Sequence, residues 1–307
     1  MIWLGLVILV GVLIAAPILR EVMKPAMTDK LRKNAPGDFA RLSRGLTHYR
    51  WLGAPRGPVA VCVHGLTTPS FVWQGIAAGL GALGYRVLVY DLYGRGYSDR
   101  PDGPQDSAFF ITQLEELLED QGITGDFTLF GYSMGGAIAT AFAALHPERL
   151  RALVLIAPAG FGHDLGPLAE RVARGGPMAT WLMLAGFPRS FRKGCEAERH
   201  LPTSVPGIVD LQQAELRYRG FVPAVARSIS GMVSEDLTEE HADIAETRLP
   251  VLAIWGREDT VIPLRSMARL AEVNRSARQE VIEGAGHGLT YTHSEAVLAA
   301  LRDLMRD

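Results

Sequence analysis

Five stretches of the chain, residues 59–63, 86–90, 126–130, 153–157 and 251–255, are short and almost wholly apolar. Runs of this length without polar alternation read as strands buried on both faces. Helical patterns separate most of them, among them residues 135–145 (GGAIATAFAAL), dense in Gly and Ala. The alternation predicts an α/β fold, a mainly parallel, doubly wound sheet with helices on both faces. A hairpin over 38–52, turning at Arg44-Gly45, and a short strand at 279–282 complete the expected sheet.

Between about residues 160 and 246 the rhythm breaks. Gly and Pro punctuate short helical pieces, with Trp181, Met183, Leu184, Phe187, Phe191 and Phe221 scattered among them. A helical insertion is expected there, with about half of these side chains forming its own small core.

Residues 2–19 (IWLGLVILVGVLIAAPIL) carry no charge across 18 positions. As a helix they span roughly 27 Å at about 1.5 Å per residue, close to one hydrocarbon core. Twelve of them are Leu, Ile or Val. At about −0.3 to −0.6 kcal/mol each near the bilayer centre, these favour insertion by at most roughly 4–7 kcal/mol. Arg20, Lys24, Lys30, Arg32 and Lys33 follow, against Glu21 and Asp29, so the positive-inside rule keeps what comes next in the cytoplasm. The reading is a single-pass membrane protein, with a transmembrane anchor at 1–19 and a basic stem at 20–36 that is solvated or lies on anionic headgroups. A cleaved signal peptide, leaving a secreted or periplasmic protein, is the alternative. Against it, only Met1 precedes the apolar run, and Ala15-Ala16-Pro17 is a poor small-x-small site.

Composition narrows the classes. The 307 residues are 48% hydrophobic, which suits one α/β domain with an insertion. A net charge of −2 without a basic stripe gives no case for a nucleic-acid partner. Cys62 lies in an apolar run and Cys195 in a polar part of the insertion, a spacing that indicates neither a disulfide framework nor a metal site. His48, His146, His163, His200, His241 and His293 read as solvated or capping residues. No metal or organic cofactor is expected.

The chemistry centres on Gly131-Tyr132-Ser133-Met134-Gly135, between an apolar strand and a small-residue helix. A serine on such a sharp turn has its hydroxyl raised above the sheet, and the flanking glycines avoid a clash. The helix N-terminus turns free N–H groups toward whatever reacts there. A serine needs a base to take its proton, and the base needs a third group to orient it. Asp259 and His287 both follow the ends of expected strands, where parallel α/β sheets hold their sites. The order Ser133, Asp259, His287 is that of α/β-hydrolases.

From about Gly37 onward the chain resembles the α/β-hydrolase superfamily, in particular its serine esterases and lipases. Its layout is similar to that of membrane-anchored monoacylglycerol lipases. The resemblance is carried by His64-Gly65, the segment 91–98 (DLYGRGYS), the serine elbow, Gly256-Arg257-Glu258-Asp259 and Gly286-His287. It implies Ser133 as nucleophile, His287 as general base and then acid, and Asp259 as the orienting carboxylate. It also implies an oxyanion hole from the backbone N–H groups of Met134 and Leu66, with Thr67 as the alternative second donor. The loop His64-Gly65-Leu66-Thr67-Thr68-Pro69 lacks the extra glycines of H-G-G-G or H-G-x-G-P-G loops. That departure argues against proline iminopeptidases and C–C hydrolases of meta-cleavage products, which usually carry the Gly-Pro-Gly form, without removing C–C hydrolysis from the alternatives. A serine at the elbow sets it apart from epoxide hydrolases and haloalkane dehalogenases. Asp91 is read as a loop former.

By the same resemblance the insertion is a cap over the serine, so the expected division is a core of 37–159 and 247–307 with a helical cap at 160–246. The implied activity is hydrolysis of a carboxylic ester with an apolar or lipid-like acyl group, through an acyl-serine. The alternatives are amide, thioester or C–C hydrolysis by the same side chains, or a silent ligand-binding protein of this fold.

Overall fold

The structure, a computed structural model, describes residues 2–161 and 166–304. Its strands are β1 Asp38–Leu42, β2 Gly45–Gly53, β3 Val59–Val63, β4 Arg86–Tyr90, β5 Phe127–Tyr132, β6 Leu150–Ile156, β7 Val251–Gly256 and β8 Arg278–Ile282. The α-helices are α1 Ile2–Val22, α2 Asp29–Arg32, α3 Gln74–Ala82, α4 Ser107–Asp120, α5 Met134–Leu145, α6 Gly166–Ala173, α7 Gly176–Ala197, α8 Ile208–Ala214, α9 Phe221–Ser230, α10 Thr238–Glu246, α11 Arg265–Val273, α12 Leu289–Thr292 and α13 Ser294–Leu304.

The strands form one eight-stranded sheet in the order β1-β2-β4-β3-β5-β6-β7-β8. The hairpin β1–β2 and the pair β2–β4 are antiparallel, and every other neighbouring pair is parallel. From β3 the chain passes to β4 on one side, then returns through α4 to β5 on the other. The loops after β3 and β5 therefore part at a topological switch point, where open α/β sheets form a crevice.

Successive residues of the central strands enter different cores. Val61 and Val63 of β3, Leu129 of β5, Leu153 and Leu155 of β6 and Val251 and Ala253 of β7 pack with α4 and α5. Their neighbours Ala60, Cys62, Phe130, Val154, Ile156, Leu252 and Ile254 pack with α3 and α13. Two apolar faces explain why these runs show no polar alternation. The boundaries shift slightly from the sequence pattern. β6 begins at Leu150, ahead of its apolar run, because Leu150 and Ala152 are buried while Arg151 points outward. In α5 every residue from Met134 to Ala143 is buried, as befits a helix enclosed on all sides.

The described chain between β6 and β7 is helical, α6 to α10. Ala179 and Met183 of α7 join Phe221, Val225 and Ile229 of α9 in a separate small core. Helix α1 stands out from the body, its large described apolar side chains between Ile2 and Ile14 being 47–89% exposed. The stem departs from the expectation of a solvated linker. Arg32 is buried, paired with Asp99 and donating from Nε to the Tyr97 carbonyl at 3.0 Å. Glu21 is also buried, and accepts from the Gly220 N–H at 2.6 Å. Pairing and hydrogen bonding are what make such charges tolerable out of water.

His241 also departs from the solvated reading, because α10 packs its face against the body. It is fully buried, stacked on Phe161 with ring centroids 4.5 Å apart, and neither ring nitrogen has a partner among the described residues. Burial lowers its pKa to about 4 by penalising the imidazolium. In the unfolded chain the ordinary value of about 6.5 returns. The unfolded state then binds more protons between about pH 4 and 6.5, so stability falls as pH drops through that window. His241→Phe is expected to flatten this fall and to add about 1 kcal/mol at neutral pH by removing unpaired buried nitrogens. Urea unfolding at about pH 5 and about pH 7.5 checks both effects.

Candidate active site

β5 ends at Tyr132, and Ser133 turns the chain directly into α5. Its backbone sits at φ 55°, ψ −122°, a conformation that costs a non-glycine residue about 1–3 kcal/mol. The turn is held by several bonds. The Ser133 N–H donates to Ile156 O at 3.0 Å, and the Ser133 carbonyl accepts from Gly136, Ala137 and Ala159 N–H groups. A Cβ on Gly135 would collide with the carbonyl oxygens of Val63 and His64, so only glycine lets α5 start this close to β3.

His287, on the loop after β8, brings Nε2 to 3.0 Å from Ser133 Oγ and Nδ1 to 2.8 Å from Asp259 Oδ2. Asp259 follows β7 with its side chain fully buried, and its Oδ1 accepts from the Val261 and Ile262 N–H groups at 2.8 Å each. A carboxylate only accepts, so the His287 proton lies on Nδ1 and the Nε2 lone pair faces the serine hydroxyl. The Tyr132 hydroxyl donates to the His287 carbonyl at 2.9 Å, tying this loop to the elbow. Glu258, beside Asp259, is exposed.

The loop after β3 is oriented from behind. His64 Nε2 accepts from the Leu92 N–H at 2.9 Å, which puts its proton on Nδ1, 2.8 Å from Gly65 O. Burial lowers the His64 pKa to about 4, keeping the ring neutral for this paired role. In a trans peptide C=O and N–H point opposite ways, so with Gly65 O turned to His64 the Leu66 N–H turns the other way. Arg95 fixes the next peptide, donating from Nε to Leu66 O at 2.9 Å. Its remaining donors reach Tyr93 O, Gln105 Oε1 and, on α9, Ser228 Oγ. Burial lowers the Arg95 pKa to about 9. Leu66, Thr67 and Ser133 share one cavity wall, and Met134 opens α5 beside them.

Asp91 holds its own loop, away from Ser133. It accepts from the Ser70 and Tyr97 N–H groups and lies 2.8 Å from His48 Nδ1. Burial alone would raise its pKa, yet the His48 hydrogen bond and charge hold it well below the carboxylate range. His48 therefore departs from the solvated reading: it is 2% exposed, wedged between Asp91 and Pro36 O. His146 and His293 are partly exposed and His200 exposed, whereas His163 lies outside the described residues.

A cavity of about 550 Å³ opens above Ser133 and His287. Met183, Phe187 and Phe191 of α7 form one wall, and Leu66, Ile229 and Val261 also line the cavity. Their i, i+4, i+8 spacing marks one helix face, but spacing does not tell a cavity face from a core face. At one end the cavity is polar: Tyr291 Oη donates to Glu198 Oε2 at 2.6 Å, and Gln212 Nε2 donates to Thr68 Oγ1 at 3.0 Å. Cys195, expected in a polar stretch, lines the cavity and is buried, which pushes its thiol up to about 12. No group of three or more His, Cys, Asp or Glu among the described residues is placed to hold a metal ion.

Known proteins share this arrangement of elements. The chain is 31% identical over 223 residues to a 2-hydroxymuconate semialdehyde hydrolase of Pseudomonas putida, covering 68% of this chain and 73% of that protein. It is 27% identical over 205 residues to Lipase 1 of Psychrobacter immobilis, covering 66% of this chain and only 63% of the lipase's length. A thermophilic esterase from Thermogutta terrifontis superposes with a TM-score of 0.69 at 26% identity, over 89% of this chain and 98% of the esterase. The model of the Alpha/beta hydrolase family matches residues 60–300. That match runs from β3 into α13 and takes in every parallel strand of the sheet, and the chain belongs to the alpha/beta hydrolase family.

Proposed function

We propose that the protein is a membrane-anchored serine hydrolase that cleaves a carboxylic ester with an apolar, lipid-like acyl group. The observation that carries the reading is the line from Asp259 through His287 to Ser133 Oγ, ending in a largely apolar cavity. In this reading His287 Nε2 takes the Oγ proton as Oγ attacks the ester carbonyl. The N–H groups of Met134 and Leu66 receive the oxyanion. The tetrahedral species collapses, His287 protonates the departing alkoxide, and an acyl-serine remains. Water, deprotonated by His287, attacks the acyl carbon, and Oγ leaves with the proton.

Two observations favour a neutral apolar substrate. No Lys or Arg is among the described residues lining the cavity, whereas Glu198 is, so a substrate carboxylate has no cation to meet. The α7 wall also offers Met and Phe side chains along its length. The anchor is supported by the exposed apolar surface of α1, and the basic residues after it favour a cytoplasmic catalytic domain. The hydrogen bonds of α1 to the rest of the chain support its retention over cleavage. A second reading, C–C bond hydrolysis, is favoured by the similarity to 2-hydroxymuconate semialdehyde hydrolase; the loop after β3 alone does not set the chain apart from that class.

A p-nitrophenyl ester series from acetyl to palmitoyl tests the reading. Serine-dependent turnover that rises with chain length is expected. Ser133→Ala and His287→Ala should each lower kcat by about 10³-fold or more, and Asp259→Asn by roughly 10²–10⁴-fold. A folded Ser133→Ala protein with near-normal turnover would overturn the mechanism. Turnover of a vinylogous diketone in preference to every ester would select the C–C reading.

Arg95 is expected to act through the oxyanion loop, as a positioning residue. Arg95→Lys keeps the charge but loses the fork that holds Leu66 O, and kcat per fluorophosphonate-labelled serine should fall roughly 10- to 100-fold with KM little changed. An unchanged kcat per labelled serine would show that Arg95 only supports the fold.

A further inference from the structure

Helix α1 and the α7 wall of the cavity are joined. The Trp181 indole N–H donates to the Ile14 carbonyl at 2.9 Å. Pro17, inside α1, has no N–H to offer the carbonyl four residues back, that of Leu13, and the neighbouring Ile14 carbonyl has a second lone pair that takes the indole proton. The bond ties α7 to α1 at the turn that the proline loosens. Further along, α1 and the segment after it are held to the loop before α9, through Glu21 to the Gly220 N–H and Pro25 O to the Arg219 N–H. The insertion and α1 thus share contacts at two levels.

Depth follows from the sequence position. Ile14 precedes Leu19, the end of the uncharged run, by five residues, or about 7 Å along a helix. If α1 spans a bilayer, Trp181 lies just inside the hydrocarbon boundary, the level where tryptophan collects. The composition of α7 agrees. From Gly176 to Pro188 it carries no charged residue, and its exposed positions there are Gly176, Pro177, Met178 and Ala185. Arg171 and Arg174 before this stretch and Arg189, Arg192 and Lys193 after it are all exposed, so basic residues flank the apolar half-helix on both sides.

We propose that the first half of α7 is a second membrane-contacting element, set by Trp181 at the interfacial level of a lipid bilayer. The inference rests on the anchor reading above. Met183 and Phe187, which face the cavity over Ser133, lie on the same half-helix, so the cavity wall is continuous with a lipid-facing surface. An amphiphile residing in the bilayer would meet that surface first, and its acyl chain would reach Ser133 along α7.

The test uses the full chain with Trp3→Phe, reconstituted in phosphatidylcholine vesicles. The lipids are brominated either near the headgroup end of the acyl chain or near its terminal methyl. Trp3→Phe/Trp181→Phe supplies the background from Trp51, Trp73 and Trp255. The expected result is co-flotation with the vesicles and a loss of Trp181 emission, greater with the shallow label than with the deep one. Co-flotation with Trp181 unquenched would overturn the proposal and leave the anchor standing. Failure to co-float would overturn the anchor reading, and the proposal with it.

Discussion

The backbone of α5 begins against the backbone at the end of β3 with no side chain between them. A Cβ on Gly135 would strike Val63 and His64, and one on Gly65 would come within 3.1 Å of the Ser133 Cβ. This close approach is the constraint on which the candidate site depends. It brings the serine turn and the loop after β3 to the same point, although 68 residues separate Gly65 from Ser133. It also explains the Gly and Ala in α5, because a larger residue on the sheet side would push the helix away. The strain at Ser133 is sustained by this surrounding fit, as expected where backbone outliers persist.

Around that contact, buried polar side chains hold separate loops in one arrangement. His64 links the loops after β3 and β4, and Arg95 extends the link to α9. Glu215 adds another tie, accepting from the Gly96 N–H at 2.9 Å, although burial raises its pKa to about 7. These groups are costly to bury and valuable only when all are paired. Their common product is position. The helices between β6 and β7 are thereby coupled to the peptides beside Ser133 through side chains, with no continuous strand or helix between them.

The parallel strands β3 to β7 were legible because both faces of each are apolar, a property local to five or so residues. The serine turn was legible for the same reason: glycine spacing, strand and helix are all close in sequence. What sequence did not disclose is long-range. His48 and His241 look like any surface histidine until Asp91 and Phe161 are seen beside them. Arg32 reads as one more basic residue of a stem, and only the fold brings Asp99 to it. Met183, Phe187 and Phe191 carry helical spacing, but which of their surroundings is empty depends on loops 50 or more residues away. Trp181 gave no local sign of pairing with residue 14.

The contacts made by residues 14–32 bear on handling the protein as a soluble molecule. The apolar run invites removal, and the position of the cut decides what is left behind. A cut after residue 35 takes away Arg32 and Glu21 together. Of the bonds to its carboxylate, Asp99 would keep the one from the Leu46 N–H, and the Gly220 N–H at the start of α9 would lose its acceptor. A cut within the last turn of α1, ahead of Glu21, removes most of the sticky surface yet spares both pairings. The indole of Trp181 is bared in either case, and in a shortened protein it becomes a place for detergent or a neighbouring copy to settle.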